Sequence, residues 1–488
     1  MAANLFTGAT NSNWDTLTNW SLGVVPALND GNIATFDVTS PNCTLNSITC
    51  VCNNVDFSGY TNTLTLTNLL TVNGNVTLGS AMSFSGTERI VMTATASLQS
   101  NGVVFPNDLA FSGTKAITLL NNVIIGGSVS FSPSVTYMDN FSITIGKNVS
   151  GKSYGTTNIV MNGTGDIVTG TDVKSNFTIN TAGTITLVGT FEIYNGIFSK
   201  TSGTLVVNTG SILYLRNNCQ FNLPSVTFKK IIFADTTNNL LSDITCDEAV
   251  MAVTAINGLY NINVNTLLNV STNCSGTASF VLQNAPTWSG TSILKNNLTI
   301  KSTATATISG TVKYDTGILT NEVGSIVTTT GSTLSIAASV TLNTNGINWN
   351  NVTITTGTVT LNSLLTVNGT LSVGSAGNVT FAGTHGITYN TFSCITAGRI
   401  INLTAGITYL GTNSLTVNGT SGSKVLFVST SGIVKAIFNL QNGATQSVTN
   451  CNATRIDSSG GQTIYTSEGT LTDTINWGIG SGNFFLMF

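Results

Sequence analysis

The sequence predicts an all-β protein folded as a β-solenoid, in which short coils stack on one another. Three observations lead to this prediction. Only 7% of the 488 residues are charged, whereas exposed helix surfaces normally carry many Glu, Lys and Arg side chains. One segment recurs at long range, and strand and turn signals alternate roughly every 8–12 residues. Disordered chains are rich in charge and poor in β-branched residues, so a disordered chain is excluded.

The recurring segment lies at residues 66–80 and reads Leu-Thr-Asn-Leu-Leu-Thr-Val-Asn-Gly-Asn-Val-Thr-Leu-Gly-Ser. It returns at residues 361–375, and its core, Ser-Leu-Thr-Val-Asn-Gly-Thr, appears again at residues 414–420. Apolar residues alternate with Thr, Asn and Ser on both sides of an Asn-Gly corner. This pattern predicts a strand, a tight turn and a second strand, with one apolar face and one face of small polar side chains.

Residues 1–40 are predicted to form an N-terminal cap or attachment segment. Trp14 and Trp20 lie close together there, ahead of a strand at residues 32–38. Aromatic side chains can cover the first coil of a stack, which would otherwise expose apolar surface. The alternative is that the two indoles stack on a sugar. We favour the cap.

Residues 41–410 are predicted to form the solenoid itself. The long-range repeat and the absence of long connections favour a solenoid over a sandwich or barrel. With coils of about 20–25 residues and about 4.8 Å between stacked strands, this region would extend on the order of 70–90 Å. An irregular excursion is expected near residues 229–260, where charge is densest. Asp247 and Glu248 could open a short helix there, in a loop between two solenoid halves, or they could line an acidic pocket.

Residues 411–488 are predicted to form a C-terminal cap and subunit-contact segment. The chain ends in a strongly apolar stretch that would form an interface patch if it were exposed. The predicted partner is a second copy of the chain, in a homotrimer. The residues predicted to make this subunit contact are Phe484, Phe485, Leu486, Met487 and Phe488.

Composition argues against several site classes. The net charge is −3 and no basic cluster could hold a phosphate backbone, so nucleic acid is not an expected partner. No metal or other cofactor is expected, because Cys43, Cys50 and Cys52 are poorly spaced for zinc and the one histidine, His385, lies far away. The thiols are expected to be reduced and to face inward; a disulfide from Cys43 to Cys50 or Cys52 would need an oxidising compartment.

No apolar run is long enough to cross a bilayer, so membrane insertion is not expected. The N-terminus lacks the basic and apolar regions of a signal peptide. We therefore expect synthesis in a cytoplasm, followed by release through lysis or a route that needs no signal.

Both ends of the chain resemble a known group of proteins. An Asn-Trp pair repeats at residues 13–14 and 19–20, followed by Val-Val-Pro at residues 24–26 and then by Thr- and Asn-Gly-rich repeats. Residues 450–461 read Asn-Cys-Asn-Ala-Thr-Arg-Ile-Asp-Ser-Ser-Gly-Gly, ahead of a last Asn-Trp at 476–477. This resembles the Gly-, Thr- and Asn-rich β-helical proteins of tailed-phage virions and of bacterial surface adhesins. The resemblance implies a right-handed parallel β-helix with a structural or adhesive role, and it brings no catalytic motif.

The predicted function is that of a structural protein of a bacteriophage virion: a rigid oligomeric fibre, tail spike or head-attached decoration protein that contributes to host attachment. Its expected partners are other virion proteins and a glycan of the host surface. A bacterial surface adhesin is the first alternative. Thr-x-Thr strands such as residues 63–67 also suggest an ice-binding face, but Thr gives way to Ser, Asn and Val along the chain.

A polysaccharide-degrading β-helix enzyme is the second alternative. Glycoside hydrolysis needs two carboxylates about 5–9.5 Å apart, and no catalytic residue is assigned from the sequence. The acidic residues considered for such a pair are Asp235, Asp243, Asp247 and Glu248, and Asp166 with Asp172.

A glycan contact would use exposed aromatic side chains beside turns. Trp288 and Trp349 are the predicted carbohydrate contacts, with Tyr137 and Tyr194 as weaker candidates. The alternative for each ring is a place in the core.

Overall fold

The computed structural model describes residues 1–47, 50–112, 115–137, 141–155, 158–168 and 170–480. Strands make up 57% of the chain, and the helix among the described residues is a single 3-10 turn, Leu17–Asn19. The prediction of an all-β fold is therefore confirmed. The chain divides into two compact units, Met1–Asp243 (unit 1) and Ile244–Phe488 (unit 2).

Unit 1 contains the strands β1 to β27. Their bounds are β1 Ala2–Leu5, β2 Asn32–Thr35, β3 Cys43–Thr44, β4 Val51–Cys52, β5 Asn54–Asp56, β6 Thr63–Leu66, β7 Leu70–Val72, β8 Val76–Thr77, β9 Ser83–Gly86, β10 Ile90–Met92, β11 Ala96–Gln99, β12 Val104–Phe105, β13 Leu109–Ser112, β14 Lys115–Leu119, β15 Val123–Ile125, β16 Val129–Tyr137, β17 Ser142–Ile145, β18 Val149–Gly155, β19 Asn158–Met161, β20 Gly165–Ile167, β21 Thr171–Val173, β22 Phe177–Leu187, β23 Thr190–Tyr194, β24 Ile197–Val207, β25 Ile212–Arg216, β26 Gln220–Asn222 and β27 Thr227–Leu240.

Unit 2 contains the strands β28 to β55. Their bounds are β28 Ile244–Asn257, β29 Asn261–Val270, β30 Ser279–Leu282, β31 Thr287–Gly290, β32 Ile293–Leu294, β33 Asn297–Ile300, β34 Thr305–Ile308, β35 Thr311–Tyr314, β36 Ile318–Asn321, β37 Ile326–Thr328, β38 Thr333–Ile336, β39 Val340–Asn343, β40 Asn348–Trp349, β41 Asn351–Ile354, β42 Gly357–Leu361, β43 Leu365–Val373, β44 Val379–Gly383, β45 Ile387–Cys394, β46 Ile400–Leu403, β47 Thr408–Asn418, β48 Val425–Ser429, β49 Ala436–Leu440, β50 Thr445–Thr449, β51 Cys451–Thr454, β52 Ile456–Asp457, β53 Ile464–Thr466, β54 Leu471–Thr472 and β55 Trp477–Ile479.

In unit 1 each strand pairs in parallel with its counterpart one coil further along the chain. Ile33 pairs with Asn54 and Val55 pairs with Val76, so one coil takes 21 residues here. The longest stack, which we call stack I, runs through β1, β2, β5, β8, β11, β14, β16, β18, β21, β23, β25 and β27. A parallel stack of this kind is the defining feature of a β-solenoid.

Unit 2 repeats the arrangement. Its longest stack runs through β28, β29, β30, β33, β36, β39, β42, β44, β46, β48, β51 and β54. Over both units the chain makes about 21 turns of parallel β-solenoid. The solenoid is therefore confirmed, and the β-helical part of the resemblance with it. The right hand of the coil, which the resemblance implies, stays a prediction.

The core lies inside the coils and follows from the alternation in the sequence. In β6, Leu64 and Leu66 are buried while Thr63 and Thr65 are partly exposed, as expected when successive side chains point to opposite faces. The hydroxyl groups on the outer face bond from coil to coil: Thr65 Oγ1 lies 2.8 Å from the Ser85 hydroxyl. Small polar side chains thus cover the outside of a chain that has few charges.

Residues 1–40 contribute strands to the first coils of the solenoid, and their role as a cap or attachment segment stays a prediction. The stack begins at β1, and β2 already pairs with β5. The two indoles belong to a buried aromatic cluster: Trp14 and Trp20 are 0% and 2% exposed, with ring centroids 4.9 Å apart. Phe36 packs against both rings. These rings fill the core of the first coils, and neither indole offers a face to a sugar.

The stretch near residues 229–260 forms β27 and β28, two strands of 14 residues each, with no helix at Asp247 and Glu248. Both strands are irregular at their charged residues: the pairing register of β28 shifts between Cys246 and Glu248, and Asp235 of β27 has a positive φ of 68°. The boundary between units falls at Asp243, inside the stretch that the sequence marked as a junction of two halves.

The coils continue beyond residue 410, and the role of residues 411–488 as a cap and subunit-contact segment stays a prediction. β47 crosses it, β48 pairs with β51, and β51 pairs with β54. Parallel stacking therefore reaches at least Thr472. The predicted subunit contact at residues 484–488 lies outside the described residues and stays a prediction.

The Asn-Gly corner of the recurring segment has a specific physical reason. A Cβ atom at Gly74 would lie 2.6 Å from the carbonyl oxygen of Asn53, at Gly369 2.4 Å from that of Asn350, and at Gly419 2.2 Å from that of Asn450. Each oxygen belongs to the main chain of another coil. Glycine is needed at these positions because the main chains of neighbouring coils approach closely. The sequence analysis explained the same glycines by a tight turn, which is a different physical reason.

Asparagine side chains of the preceding coil bond to the residue that follows the glycine of such a corner. Asn54 Oδ1 accepts the amide hydrogen of Asn75 at 2.7 Å, and Asn351 Oδ1 accepts that of Thr370 at 2.9 Å. Main-chain amides that leave the ladder at a corner need an acceptor, and a short amide side chain provides one. This explains why asparagine is so frequent in the sequence.

The eight cysteines are buried free thiols, which confirms the prediction that they face inward. The described residues contain no group of three or more His, Cys, Asp and Glu side chains arranged to hold a metal ion. Burial raises the pKa of Cys274 to about 12 and that of Cys394 to about 11. Because burial favours the neutral thiol, these groups are poor nucleophiles in the folded protein.

We expect the stability of unit 2 to fall at alkaline pH. A thiol whose pKa is raised on folding stabilises the fold fully below its unfolded pKa, and this contribution is lost as the pH rises through the folded pKa. For Cys394 the loss should run from about pH 9 to about pH 11 and amount to about 3 kcal/mol. Urea denaturation at pH 7 to 11 measures it. The Cys394→Ala variant should lose less stability over the same range; an equal loss would contradict the assignment.

Candidate functional site

The two predicted carbohydrate contacts lie in the core of unit 2. Trp288 is 1% exposed and packs edge-to-face on Tyr314, with centroids 6.1 Å apart. Trp349 is 0% exposed. Neither ring can stack on a glycan from outside, so these two assignments are corrected to core positions. The side chain of Tyr137 lies outside the part of the structure that is described.

The acidic candidates are not brought together as the sequence analysis paired them. Asp166 pairs with Thr186, whereas Asp172 pairs with Glu192 in a different stack. Asp243 ends unit 1, while Asp247 and Glu248 belong to unit 2. The carboxylates that do become neighbours are Asp172 and Glu192.

Asp172 and Glu192 belong to a cluster on stack I of unit 1, which we call the polar ladder. It combines acidic, basic and aromatic side chains on five successive coils. Its members are Lys152, Asp172, Lys174, Glu192, Tyr194, Tyr214, Arg216 and Asp235.

Strand register places these side chains in two columns. In the first column Lys152 pairs with Asp172, Asp172 with Glu192, and Glu192 with Tyr214. In the second column Tyr194 pairs with Arg216. Residues two apart on one strand share a face, so the two columns lie side by side.

Arg216 is the centre of the ladder. Its Nε lies 3.4 Å from Glu192 Oε2, and its Nη1 lies 4.0 Å from Asp235 Oδ2. The guanidinium carbon is 5.3 Å from the ring centroid of Tyr194 and 5.6 Å from that of Tyr214. Two carboxylates and two aromatic rings therefore fix the position of one cation.

The neighbouring coils continue the same pattern of mixed charge. Lys152 Nζ lies 3.7 Å from Asp172 Oδ2, and Asp172 is 5% exposed. The ammonium of Lys174 lies 5.2 Å from the ring centroid of Tyr194. Tyr194 thus has a cation from each of two coils beside its ring.

Tyr194 is polar at its tip and half-buried along its ring. Its hydroxyl donates to Glu192 Oε2 at 3.3 Å. Burial raises the pKa of Tyr194, and the nearby Arg216 partly opposes this shift. The phenol therefore stays neutral at physiological pH and keeps its hydrogen for donation.

Chemically, the ladder offers fixed donors, fixed acceptors and aromatic surface without a deep cavity. Arg216, Glu192 and Asp235 are 32%, 29% and 37% exposed at their side chains, so a ligand can reach all three. Such a surface can hold a polar ligand in one orientation.

The grooves elsewhere on the described surface are shallow. Two of them have volumes of about 310 Å³ each, and one of these two, in unit 1, is lined by Arg89, Asp108, Ser128 and Asn148 among others. Several of these polar groups already serve the backbone: Asp108 Oδ1 accepts the amide hydrogen of Ser128 at 2.7 Å. Within the part of the chain that the structure describes, no helix is long and apolar enough to cross a membrane.

Unit 2 carries a column of small hydroxyl side chains. Paired in order, it contains Ser335, Thr353, Ser372, Ser393, Thr416 and Ser447. A hydroxyl side chain is thus present at each successive position of this column, although the residue alternates irregularly between Ser and Thr. These hydroxyl groups can hydrate a surface that carries few charges.

The polar ladder was missed because its members are far apart in the sequence. Lys152, Asp172 and Glu192 are separated by 20 residues each, and Arg216 follows Tyr194 by 22. A search for charged residues at the coil period, instead of at local spacings, would have found them. The sequence analysis named Tyr194 as a candidate glycan contact, and Asp172 and Asp235 as candidates for a catalytic pair. It did not place any of them beside its neighbours in the ladder.

Comparisons with protein-family models, with curated proteins and with solved structures find no match to this chain.

Proposed function

We propose that the protein is a structural component of a bacteriophage virion, a rigid fibre, spike or head-attached decoration protein that contributes to attachment to the host surface. The observation that supports this best is the parallel solenoid of both units, with about 21 turns and short connections. A stack of this kind supplies a long, stiff surface with few mobile loops. The resemblance of both chain ends to phage β-helical proteins agrees with the proposal.

The polar ladder supports the attachment part of the proposal. It is a place where acidic, basic and aromatic side chains meet on the surface of a chain that has few charges. A bacterial surface adhesin would use the same fold and the same surface chemistry, so it stays the first alternative.

A polysaccharide-degrading enzyme is favoured by one observation, the register pairing of Asp172 with Glu192. Glycoside hydrolysis, however, needs one carboxyl group that is protonated, usually in apolar surroundings. Here Asp172 has Lys152 beside it and Glu192 has Arg216 beside it. Both acidic side chains are thus engaged by basic side chains of the ladder, an arrangement suited to binding.

The experiment that tests the proposal is a fractionation of a lysed culture of the cells in which the gene is expressed. We expect peptides of this protein to co-purify with phage particles on a density gradient, and antibody labelling to place it on their exterior. Recovery in the cell-envelope fraction alone would overturn the virion assignment in favour of the adhesin. Light scattering of the purified protein should give the mass of a trimer.

A further inference from the structure

We infer that Asn442 is a site of spontaneous deamidation, and that the stacking of coils protects Asn368 and Asn418 of the recurring segment from the same reaction. The co-reactant is water, and the product carries a new carboxylate. The inference goes beyond the proposed function and does not depend on it. The asparagines that directly precede a glycine in this chain are Asn73, Asn101, Asn162, Asn195, Asn257, Asn345, Asn368, Asn418 and Asn442.

Deamidation needs a main chain that can move and a side-chain amide that is accessible. The main-chain nitrogen after the asparagine attacks the side-chain carbon Cγ. The bond from this nitrogen to Cγ forms, the bond from Cγ to Nδ2 breaks, and ammonia leaves with the proton that the nitrogen gives up. Water then opens the resulting five-membered imide at either carbonyl carbon, which yields aspartate or isoaspartate. Glycine favours ring closure because it has no Cβ and adopts conformations that other residues avoid.

Two corners of the recurring segment hold the attacking nitrogen between coils. Gly369 donates its main-chain N–H to the oxygen of Asn350 at 2.7 Å, and Gly419 donates to that of Thr449 at 2.8 Å. A Cβ at either glycine would lie less than 3.0 Å from a main-chain oxygen of another coil. Attack on the preceding asparagine therefore requires the coils to separate locally, which costs far more than the opening of an exposed turn.

Four further pairs are restrained in a similar way. A Cβ at Gly74, Gly163 or Gly196 would also lie less than 3.0 Å from a main-chain oxygen of another coil. Gly258 donates its main-chain N–H to Thr277 Oγ1 of the next coil at 2.9 Å. Each of these glycines is thus packed or bonded against a neighbouring coil, and its nitrogen cannot turn freely toward Cγ.

Two pairs lie in open turns but have an anchored side chain. A Cβ at Gly102 or Gly346 would meet nothing within 4 Å. The side-chain amides of Asn101 and Asn345, however, donate to main-chain oxygens of other coils at 2.7 Å and 2.8 Å. These bonds hold the amide that would have to leave, so we expect both residues to react more slowly than Asn442.

Asn442 lacks both kinds of restraint. Asn442 and Gly443 are exposed at the tip of a turn, which is closed by the N–H of Ala444 bonded to the oxygen of Gln441 at 3.1 Å. Gly443 has a φ of 85°, and a Cβ there would meet nothing within 4 Å. Its N–H donates to Gln462 Oε1 at 3.2 Å, a bond to a side chain instead of to a coil. Among the described residues the side chain of Asn442 has no hydrogen-bond partner.

The test follows the wild-type chain by peptide mass spectrometry. The full protein is incubated at mildly alkaline pH, both folded and unfolded in guanidinium chloride, and samples are digested in acid. In the unfolded chain all these asparagines should react at similar rates, because glycine follows each of them. In the folded protein Asn442 should keep this rate within about threefold, whereas Asn368 and Asn418 should react at least tenfold more slowly. Equal rates at Asn442 and Asn368 in the folded protein would overturn the inference.

Variants identify the reacting residue by a second method. Isoaspartate formed in the folded protein is labelled with protein isoaspartate methyltransferase and radioactive S-adenosylmethionine. Asn442→Gln should remove most of the label, because a glutamine side chain would have to close a less favourable six-membered ring. The matched control is Asn418→Gln, which also precedes a glycine and should leave the label unchanged. Thermal melting shows that both variants are folded. A label that survives Asn442→Gln would contradict the assignment.

The change of charge gives a third measurement. Each event replaces a neutral amide with a carboxylate, so the net charge of −3 becomes more negative by one unit. Folded protein that has been incubated should therefore separate into two main forms on anion exchange, and the form that elutes later should carry its new carboxylate at residue 442. A later form that is modified mainly at other asparagines would overturn the inference.

Discussion

Replacing Trp349 with alanine is expected to reduce the free energy of unfolding of unit 2 by about 3–5 kcal/mol. The indole is 0% exposed and its strand pairs with the strand of Val367, another buried residue. Removal of the ring leaves a cavity between coils whose backbones are held by parallel ladders, so the surroundings cannot collapse to fill it. Urea denaturation followed by circular dichroism, with the pattern of limited proteolysis, measures the loss.

Trp349→Phe is the control for this prediction. The indole Nε1 is buried and has no hydrogen-bond acceptor among the described residues, so its loss removes no bond. Phenylalanine keeps much of the ring volume, and we expect a cost of about 1–2 kcal/mol. A Trp349→Ala variant as stable as the wild type would mean that the ring is outside the core, and would restore it as a candidate glycan contact.

The burial of Trp349 shows which level of structure the sequence determines by itself. Alternation of apolar and polar residues identifies strands and therefore the fold class, because the period of two is local. Whether a tryptophan beside a turn faces inward depends on where the coil bends. The motif Asn-Trp-Asn at residues 348–350 contains no such information, since a strand of two residues has no alternation to read.

The extent of the coils is also difficult to predict from the sequence. The divisions at residues 40 and 410 followed changes in composition, but the backbone ladder that defines a coil is indifferent to them. The charge cluster near residue 247 was expected to open a short helix, and it lies in β28 instead. Asp247 and Glu248 are both partly exposed between buried Cys246 and Ala249, and the strand accommodates them by a shift in its pairing register between Cys246 and Glu248.

The polar ladder depends on register, which the sequence leaves open. Ile262 pairs with Phe280 after 18 residues, whereas Val425 pairs with Cys451 after 26. Because coil length varies, a residue cannot be assigned a partner by adding a fixed number. An error of one residue in the assumed register would place a side chain on the opposite face of its strand, and the cluster would not be recognised.

Gly369→Ala is the second large effect we expect, a destabilisation of unit 2 by about 3 kcal/mol. The new Cβ would lie 2.4 Å from the main-chain oxygen of Asn350. That oxygen also accepts the amide hydrogen of Gly369 at 2.7 Å, so relief of the clash requires the bond between the two coils to lengthen. Urea denaturation of the full chain measures the difference from the wild type.

The matched control is Gly422→Ala, because a Cβ at Gly422 meets nothing within 4 Å. Here alanine should be neutral or stabilise the fold by up to about 1 kcal/mol, since it restricts the unfolded chain. Gly419, the third copy of the corner, should behave like Gly369, because its Cβ would lie 2.2 Å from the oxygen of Asn450. If Gly369→Ala were as stable as Gly422→Ala, the corner would have room for a side chain. The recurrence of Asn-Gly along the chain would then reflect turn conformation instead of the close approach of stacked coils.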